Sequence, residues 1–479
     1  MTATDLAALA PEILLAAAGC AVLLLEAMAP RLRPAFTGLS VLATAVAGWL
    51  AWGVAEGVSS AGLLVADRLT AVGSLVVLAS AALALLASQG YLRREGILGG
   101  EYHALFLWCT AGMLLMLRSA ELLTVFVSLE LLSLCLYALA AYNRKVVLGS
   151  EAALKYFLMG AFASSFVLYG IALLYGATGS TFFDGIDAAL SGGAAGEASS
   201  PAVAVIGVLL LIAGFGFKMS VAPFHAWAPD TYQGAPSPFV AFLSVAPKAA
   251  SAFVLIRVLG TVFPDALGTR WPAVVASLAV LSMVVGNLLA LVQKDVKRML
   301  AYSGVGHMGY LLIPLAGLDL GTDGGGGSWT PVLVYLAAYA LMNAGAFAVV
   351  GMLYSRAGEQ HLISELSGWG YRFPVLGAAL TVCMLSLGGL PPTVGFVGKY
   401  LVFLHAVEAG QVWLALVGVV TSLIGVFYYL RVVYVLYMKE EVREPSGLLI
   451  DRWGTTAAVL AALGTLALGI YPGWLLGLF

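Results

Sequence analysis

The chain has 479 residues, of which 61% are hydrophobic and only 10% charged, where a soluble domain carries roughly 25% charged residues. No globular core can bury so large an apolar fraction, so the bilayer is the solvent and the expected fold class is an all-α integral membrane protein. A net charge of −2 argues against nucleic acid and against a strongly charged substrate.

Met1 to Glu12 contains no Lys or Arg and carries Asp5 and Glu12, so the first apolar stretch is expected to be retained and not cleaved as a secretory signal. A membrane helix needs roughly 20 apolar residues. In chain order, fourteen stretches qualify, near 11–28, 36–55, 69–89, 102–117, 121–140, 152–176, 202–229, 238–262, 272–292, 299–317, 331–355, 374–406, 411–438 and 455–478. The fourth and fifth are separated only by a short turn around Arg118 and Ser119.

Loop charges test this count, because cytoplasmic loops carry an excess of Lys and Arg. With the N-terminus outside, the inward loops hold Arg31, Arg33, Arg93, Arg94, Arg144, Lys145, Lys294, Lys297, Arg298, Arg356, Arg372, Lys439, Arg443 and Arg452. The outward loops hold only Arg68, Arg118 and Arg270. A miscounted helix would scramble that partition, so fourteen spans with both termini on the non-cytoplasmic side are predicted. The outward loops 177–201 and 318–330 are rich in Gly, Ser and Ala, the second with Gly324 to Gly327, and read as flexible linkers.

Gly304-Val305-Gly306-His307-Met308-Gly309 fits a GxGxxG pattern, but it lies inside a span with no preceding strand. Tight helix packing by small residues explains it better than a dinucleotide site. Cys20, Cys109, Cys135 and Cys383 sit in apolar stretches with no CxxC pair. They read as small core residues, and no redox centre is expected in this chain.

The informative residues are charges at mid-membrane, where each costs about 2.5–3.5 kcal/mol on insertion scales and must face protein or water. Glu130 is central in the fifth stretch, Lys218 in the seventh and Lys248 in the eighth. His307 lies halfway down the tenth, and Lys399 deep in the twelfth. Their common depth predicts a polar row parallel to the membrane plane. Lys218 and Lys399 both lie beside helix breaks: Pro223 follows Lys218, and Pro391-Pro392 precedes Lys399. Proline frees a carbonyl one turn earlier, and the freed group must find protein or water. Paired broken helices point to the transport site of an inverted-repeat transporter.

Desolvation disfavours a buried ammonium, and a nearby carboxylate restores it. At an effective dielectric of about 20, a charge about 4 Å away contributes roughly 4 kcal/mol. Glu130 and Lys218 can therefore act as an electrostatic switch, with Lys248 taking the proton next. Lysine suits that role and arginine does not, because guanidinium stays protonated. Lys155, near the inward end of its span, belongs either to the pathway or to a snorkelling set with Arg257 and Arg431. His225, after the first break, is a candidate for extending the row inward, whereas His103 and His361 fall near loops and are expected to be solvated. Trp271, Trp329 and Trp474 suit an interfacial belt.

Lys218-Met219-Ser220-Val221-Ala222-Pro223-Phe224-His225-Ala226-Trp227-Ala228-Pro229-Asp230, followed by Gly234-Ala235-Pro236-Ser237-Pro238, resembles the signature of the antiporter-like membrane subunits of complex I and of the related multisubunit sodium/proton antiporters. Lys297-Arg298-Met299-Leu300-Ala301-Tyr302-Ser303 and His307-Met308-Gly309-Tyr310 match the same family, and the resemblance covers about 100 to 440. Within it, Gly395-Phe396-Val397-Gly398-Lys399 after Leu390-Pro391-Pro392 is similar to the subgroup with Lys, not Glu, at the last position. Another subgroup continues into a long helix along the membrane, which is not expected after the fourteenth stretch.

The resemblance implies proton-pathway roles for Glu130, Lys155, Lys218, Lys248, His307 and Lys399. It implies two inverted five-helix repeats, at residues 101–265 and 266–440, between N-terminal helices (1–100) and a C-terminal helix (441–479). It implies a multi-pass subunit of the cell (inner) membrane that moves protons within a translocase. FMN, iron–sulfur clusters and quinone would then lie in other subunits of an NADH:quinone oxidoreductase, and this chain would hold no cofactor or metal. A cation/proton antiporter subunit without redox coupling is the alternative, since the polar row serves both.

Overall fold

A computed structural model describes residues 7–54, 57–59, 62–190, 201–266, 271–316, 329–355, 358–359, 361–439 and 450–478. Arg270, Arg356, Arg443 and the Gly-rich stretch 318–328 lie outside the described residues.

In hydrocarbon every backbone N–H and C=O must be satisfied within its own segment, so apolar runs of this length become helices. Those used below are α1 (Ala10–Met28), α2 (Phe36–Gly53), α3 (Arg68–Glu95), α4 (Gly100–Arg118), α5 (Leu122–Ala140) and α6 (Val147–Thr178). There follow α7 (Pro201–Met219), α8 (Trp227–Gly234), α9 (Ser237–Leu243), α10 (Ala246–Ala266), α11 (Trp271–Leu291) and α12 (Val296–Ala316). The last are α13 (Thr330–Val350), α14 (Pro374–Gly388), α15 (Val394–Glu408), α16 (Val412–Met438) and α17 (Arg452–Ile470). Two small antiparallel hairpins, Gly57–Ser59 with Leu64–Ala66 and Tyr354–Ser355 with Gly358–Glu359, are the strand pairs among the described residues.

Among the described residues, 12 helices are long and apolar enough to cross a membrane, and α14 is a shorter apolar helix. Each of the fourteen stretches read from the sequence contains a helix or a broken helix. The centre of the molecule is Ser237–Gly260 (100% buried), α12 (94%) and α13 (89%), whereas α1 at the periphery is 28% buried. The apolar outer faces of the peripheral helices suit lipid or neighbouring subunits.

Small residues let α11 and α12 approach closely. A Cβ on Gly286 of α11 would run into the Gly306 amide nitrogen of α12, and one on Gly309 would meet Met283 at 2.7 Å. The GxGxxG stretch is thus a packing surface between α11 and α12.

Basic residues counted as loop charges are partly structural. Arg118 and Glu12 form a 2.7 Å ion pair, each about 4% exposed, that ties α4 to α1. Lys297 is fully buried and donates to the Ala235 carbonyl at 2.7 Å. Arg431, read from the sequence as a snorkelling residue within a span, donates to the Leu291 and Gln293 carbonyls at the end of α11, where cations suit the helix dipole. His103, expected to be solvated, is fully buried. One ring nitrogen meets the Gly99 carbonyl at 3.0 Å and the other the Thr37 hydroxyl at 2.9 Å. Its place beside a loop in sequence concealed that α2 covers it.

Candidate functional site: a buried polar row

Two helix breaks frame the site. α7 ends at Met219, Ser220 takes a left-handed backbone (φ 61), and α8 resumes at Trp227. The break's backbone groups are satisfied locally: Val221 N–H donates to Gly216 O (2.8 Å) and Trp227 Nε1–H to Phe217 O (2.8 Å). The Ala222 N–H donates to Ser282 Oγ of α11 at 2.9 Å. The second break separates α14 from α15 at Gly389–Thr393, with Gly389 at φ 80. Pro223, Pro391 and Pro392 are all exposed.

Lys218, at the end of α7, is 3% exposed, and its Nζ has no hydrogen-bond partner. It lies 5.2 and 5.3 Å from the ring centroids of Tyr137 and Tyr156, a cation–π arrangement. Glu130 of α5 is half-buried with an unpartnered carboxylate oxygen. No hydrogen-bonded ion pair joins it to Lys218.

Lys248 of α10 is fully buried, with no hydrogen-bond partner and the rings of Tyr232 and Tyr339 at 5.7 and 6.0 Å. A glycine at 304 makes its space, because a Cβ there would lie 2.8 Å from the Lys248 Nζ.

His307 of α12 is 2% exposed and bridges two phenols, Tyr335 at 2.6 Å from Nδ1 and Tyr429 at 3.0 Å from Nε2. Its ring also lies 5.1 Å from that of Tyr339 and 5.8 Å from that of Tyr310. Lys399 of α15 is 5% exposed. It donates to the Leu387 and Gly388 carbonyls at 3.0 and 3.1 Å and to Ser422 Oγ at 2.8 Å. These are the carbonyls left free where α14 ends. The negative end of that helix therefore faces an ammonium.

Aromatic contacts connect the cations into one line. Tyr156, Trp227 and Tyr232 run from Lys218 to Lys248 with ring separations of 4.5 and 6.2 Å. Tyr339, His307 and Tyr310 run from Lys248 to Lys399, whose Nζ is 5.2 Å from the Tyr310 ring. The structure thus brings Lys218, Lys248, His307 and Lys399 together, with Glu130 at one end.

Lys155 stands apart. Its side chain is 46% exposed and paired with Glu151 (2.9 Å) and Asp230 (3.0 Å). Asp230 also binds Arg298 at 2.7 Å, which ties α6, α8 and α12 together. His225 is half-buried beside the first break, 6.3 Å from the Tyr302 ring, with an unpartnered Nδ1.

Reading charges alone missed the tyrosines and Asn287. Tyr335 and Tyr339 face the row from one turn of α13, and Tyr428 and Tyr429 from α16. Tyrosine counts as aromatic bulk in a hydropathy reading, so the signal was available only as i, i+4 spacing on a central helix.

The model of a family described as "NADH:quinone oxidoreductase/Mrp antiporter, TM" matches residues 119–425. NADH-quinone oxidoreductase subunit N of Trichlorobacter lovleyi is 40% identical over 473 residues, 97% of this chain and 94% of that one. A chain of respiratory complex I from Thermus thermophilus with bound aureothin superposes with a TM-score of 0.81 at 35% identity, covering 98% of both chains. A chain of the Mrp complex from Dietzia sp. DQ12-45-1b reaches a TM-score of 0.82 over 100% of this chain and 96% of its own, at 22% identity, which speaks for the fold alone. The chain therefore belongs to the NADH:quinone oxidoreductase/Mrp antiporter transmembrane family, and within it groups with the proteins called subunit N.

Proposed function

We propose that the chain is a proton-translocating membrane subunit of an NADH:quinone oxidoreductase, a translocase in which NADH oxidation and quinone reduction occur in other subunits. The single observation that carries this reading is the continuous buried row from Lys218 to Lys399, with ammonium groups that lack carboxylate ion pairs. Such groups are expensive in a membrane and mark ion or proton paths. Glu130, Lys218, Lys248, His307 and Lys399 carry the proton. Lys155 and His225 serve the inward approach, where Asp230 gathers Lys155 and Arg298. Charge changes arriving from neighbouring subunits alter the Glu130–Lys218 interaction and drive the proton along the row.

FMN, iron–sulfur clusters and quinone belong to the partners in this reading. The chain crosses the cell membrane fourteen times with both termini outside, as two inverted five-helix repeats, 101–265 and 266–440. Similarity to the Mrp chain leaves a redox-free antiporter as the second reading, but that likeness rests on the fold, whereas the subunit N likeness extends through 97% of the sequence.

The test is purification through a tag on this chain from its native membrane. Co-purified flavin and iron–sulfur absorbance with NADH:quinone reductase activity supports the proposal. A preparation without them that exchanges sodium for protons without NADH overturns it.

A further inference from the structure

Asn287 is fully buried on α11, and the proton row does not include it. A buried primary amide needs partners for both its donor and its acceptor ends. Its Nδ2 donates to Met283 O of its own helix at 2.8 Å and to the Tyr310 hydroxyl of α12 at 3.1 Å. Its Oδ1 accepts from the Tyr428 hydroxyl of α16 at 3.1 Å. Tyr310 in turn donates to Thr421 Oγ1 at 3.3 Å, and Thr421 to Val417 O at 2.8 Å. The chain of donors therefore has one direction, from Tyr428 through Asn287 and Tyr310 to Thr421.

Space for the amide is built by two glycines. A Cβ on Gly306 would stand 2.9 Å from Asn287 Nδ2, and one on Gly425 3.2 Å from Oδ1. Three helices thus approach closely around one side chain. The object it holds is Tyr310, whose ring lies 5.2 Å from Lys399 Nζ and 5.8 Å from the His307 ring. With its hydroxyl tied on one side by Asn287 and on the other by Thr421, Tyr310 has its ring fixed against the Lys399 ammonium. Lys218 and Lys248 face tyrosine rings as well, but the hydroxyls of Tyr156, Tyr232 and Tyr339 have no hydrogen-bond partner. The tether is thus present at Lys399 and missing at the other two lysines.

We infer that Asn287 is a positioning residue for proton transfer at Lys399: it fixes the Tyr310 ring against the ammonium, and so sets how readily Lys399 gives up and regains its proton relative to the freer lysines of the row. The inference rests on the proton-row reading proposed above. A ring held over an ammonium favours its charged form, so a loosened ring lets Lys399 lose its proton at lower pH.

The experiment measures NADH-driven proton uptake against pH in vesicles reconstituted with the whole complex carrying Asn287→Ala, Lys399→Arg or both. Asn287→Ala is expected to lower the maximal rate about threefold to tenfold, the scale of one or two lost hydrogen bonds, and to move the pH profile toward lower pH. No such profile shift is expected when Lys399→Arg is already present, because arginine does not titrate. Should Asn287→Ala fail to assemble, Tyr310→Phe removes the same tether from its other end and carries the test. An unchanged profile in the assembled Asn287→Ala or Tyr310→Phe complex, beside an impaired Lys399→Arg, overturns the role of Asn287 and leaves the row standing. Wild-type pumping by Lys399→Arg overturns instead the carrier role on which the inference rests.

Discussion

At the residue scale, the three lysines of the row are chemically alike but differently solvated. Lys218 and Lys248 have aromatic faces and no hydrogen-bond acceptor, whereas Lys399 has two carbonyls and a hydroxyl. The sequence showed Lys399 without an acid in its span before Glu408. It did not show that the broken helix turns its own carbonyls toward the ammonium, which depends on the path of Gly389–Thr393. Lys399→Arg keeps the charge but not the titration and is expected to lower proton uptake in vesicles by about tenfold or more, on the scale of one kinetic step losing about 1.4 kcal/mol. Lys399→Glu, still titratable, should retain part of the activity. Glycine 304 gives a second check. A Cβ there already crowds the Lys248 ammonium and the two methyls of valine add further bulk, so Gly304→Val should assemble and reduce quinone more slowly than Gly304→Ala. Equal rates would mean that the space beside Lys248 is not needed.

At the element scale, the helices were legible because a bilayer leaves apolar runs no other hydrogen-bonded form. Their breaks were legible from Pro223 and Pro391-Pro392. The partners of the freed groups were not, since Ser282 lies some 60 residues from Ala222, which it accepts from. Glycine packing belongs to this scale too. Gly286→Leu would force α11 away from Gly306, and overpacking of this kind costs about 1–3 kcal/mol. It should lower the thermal midpoint of the detergent-solubilised complex, while Gly176→Ala, facing open space within a helix, should not lower it. Asp67 caps α3 by accepting from the Thr70 amide at 2.7 Å and also holds Arg257 at 2.6 Å. Loss of such a cap costs about 1 kcal/mol, so Asp67→Ala is expected to lower the same midpoint.

At the scale of the whole molecule, orientation rests on the loop charges, of which Lys297 proves fully buried and Arg298 paired with Asp230. The expected orientation therefore depends on the exposed ones, Arg144 and Lys145 among them. With the exposed Cys20 replaced by serine, Asp184→Cys should react with an impermeant thiol reagent in intact cells and Arg144→Cys should not; the reverse pattern would invert the topology. The row itself was readable from Glu130, Lys218, Lys248, His307 and Lys399. Its continuity was not, because the links are tyrosines and Trp227 drawn from distant helices, and a hydropathy pattern counts them as bulk.

The central claim is that protons cross by way of this row, and Lys248 is its middle member, fully buried against the rings of Tyr232 and Tyr339. The most direct measurement is therefore NADH-driven proton uptake by vesicles containing the assembled complex with Lys248→Met, compared with wild type at equal amounts of complex. Proton uptake is expected to fall at least tenfold, with coupled quinone reduction slowing alongside it. Proton uptake at the wild-type rate would contradict the account.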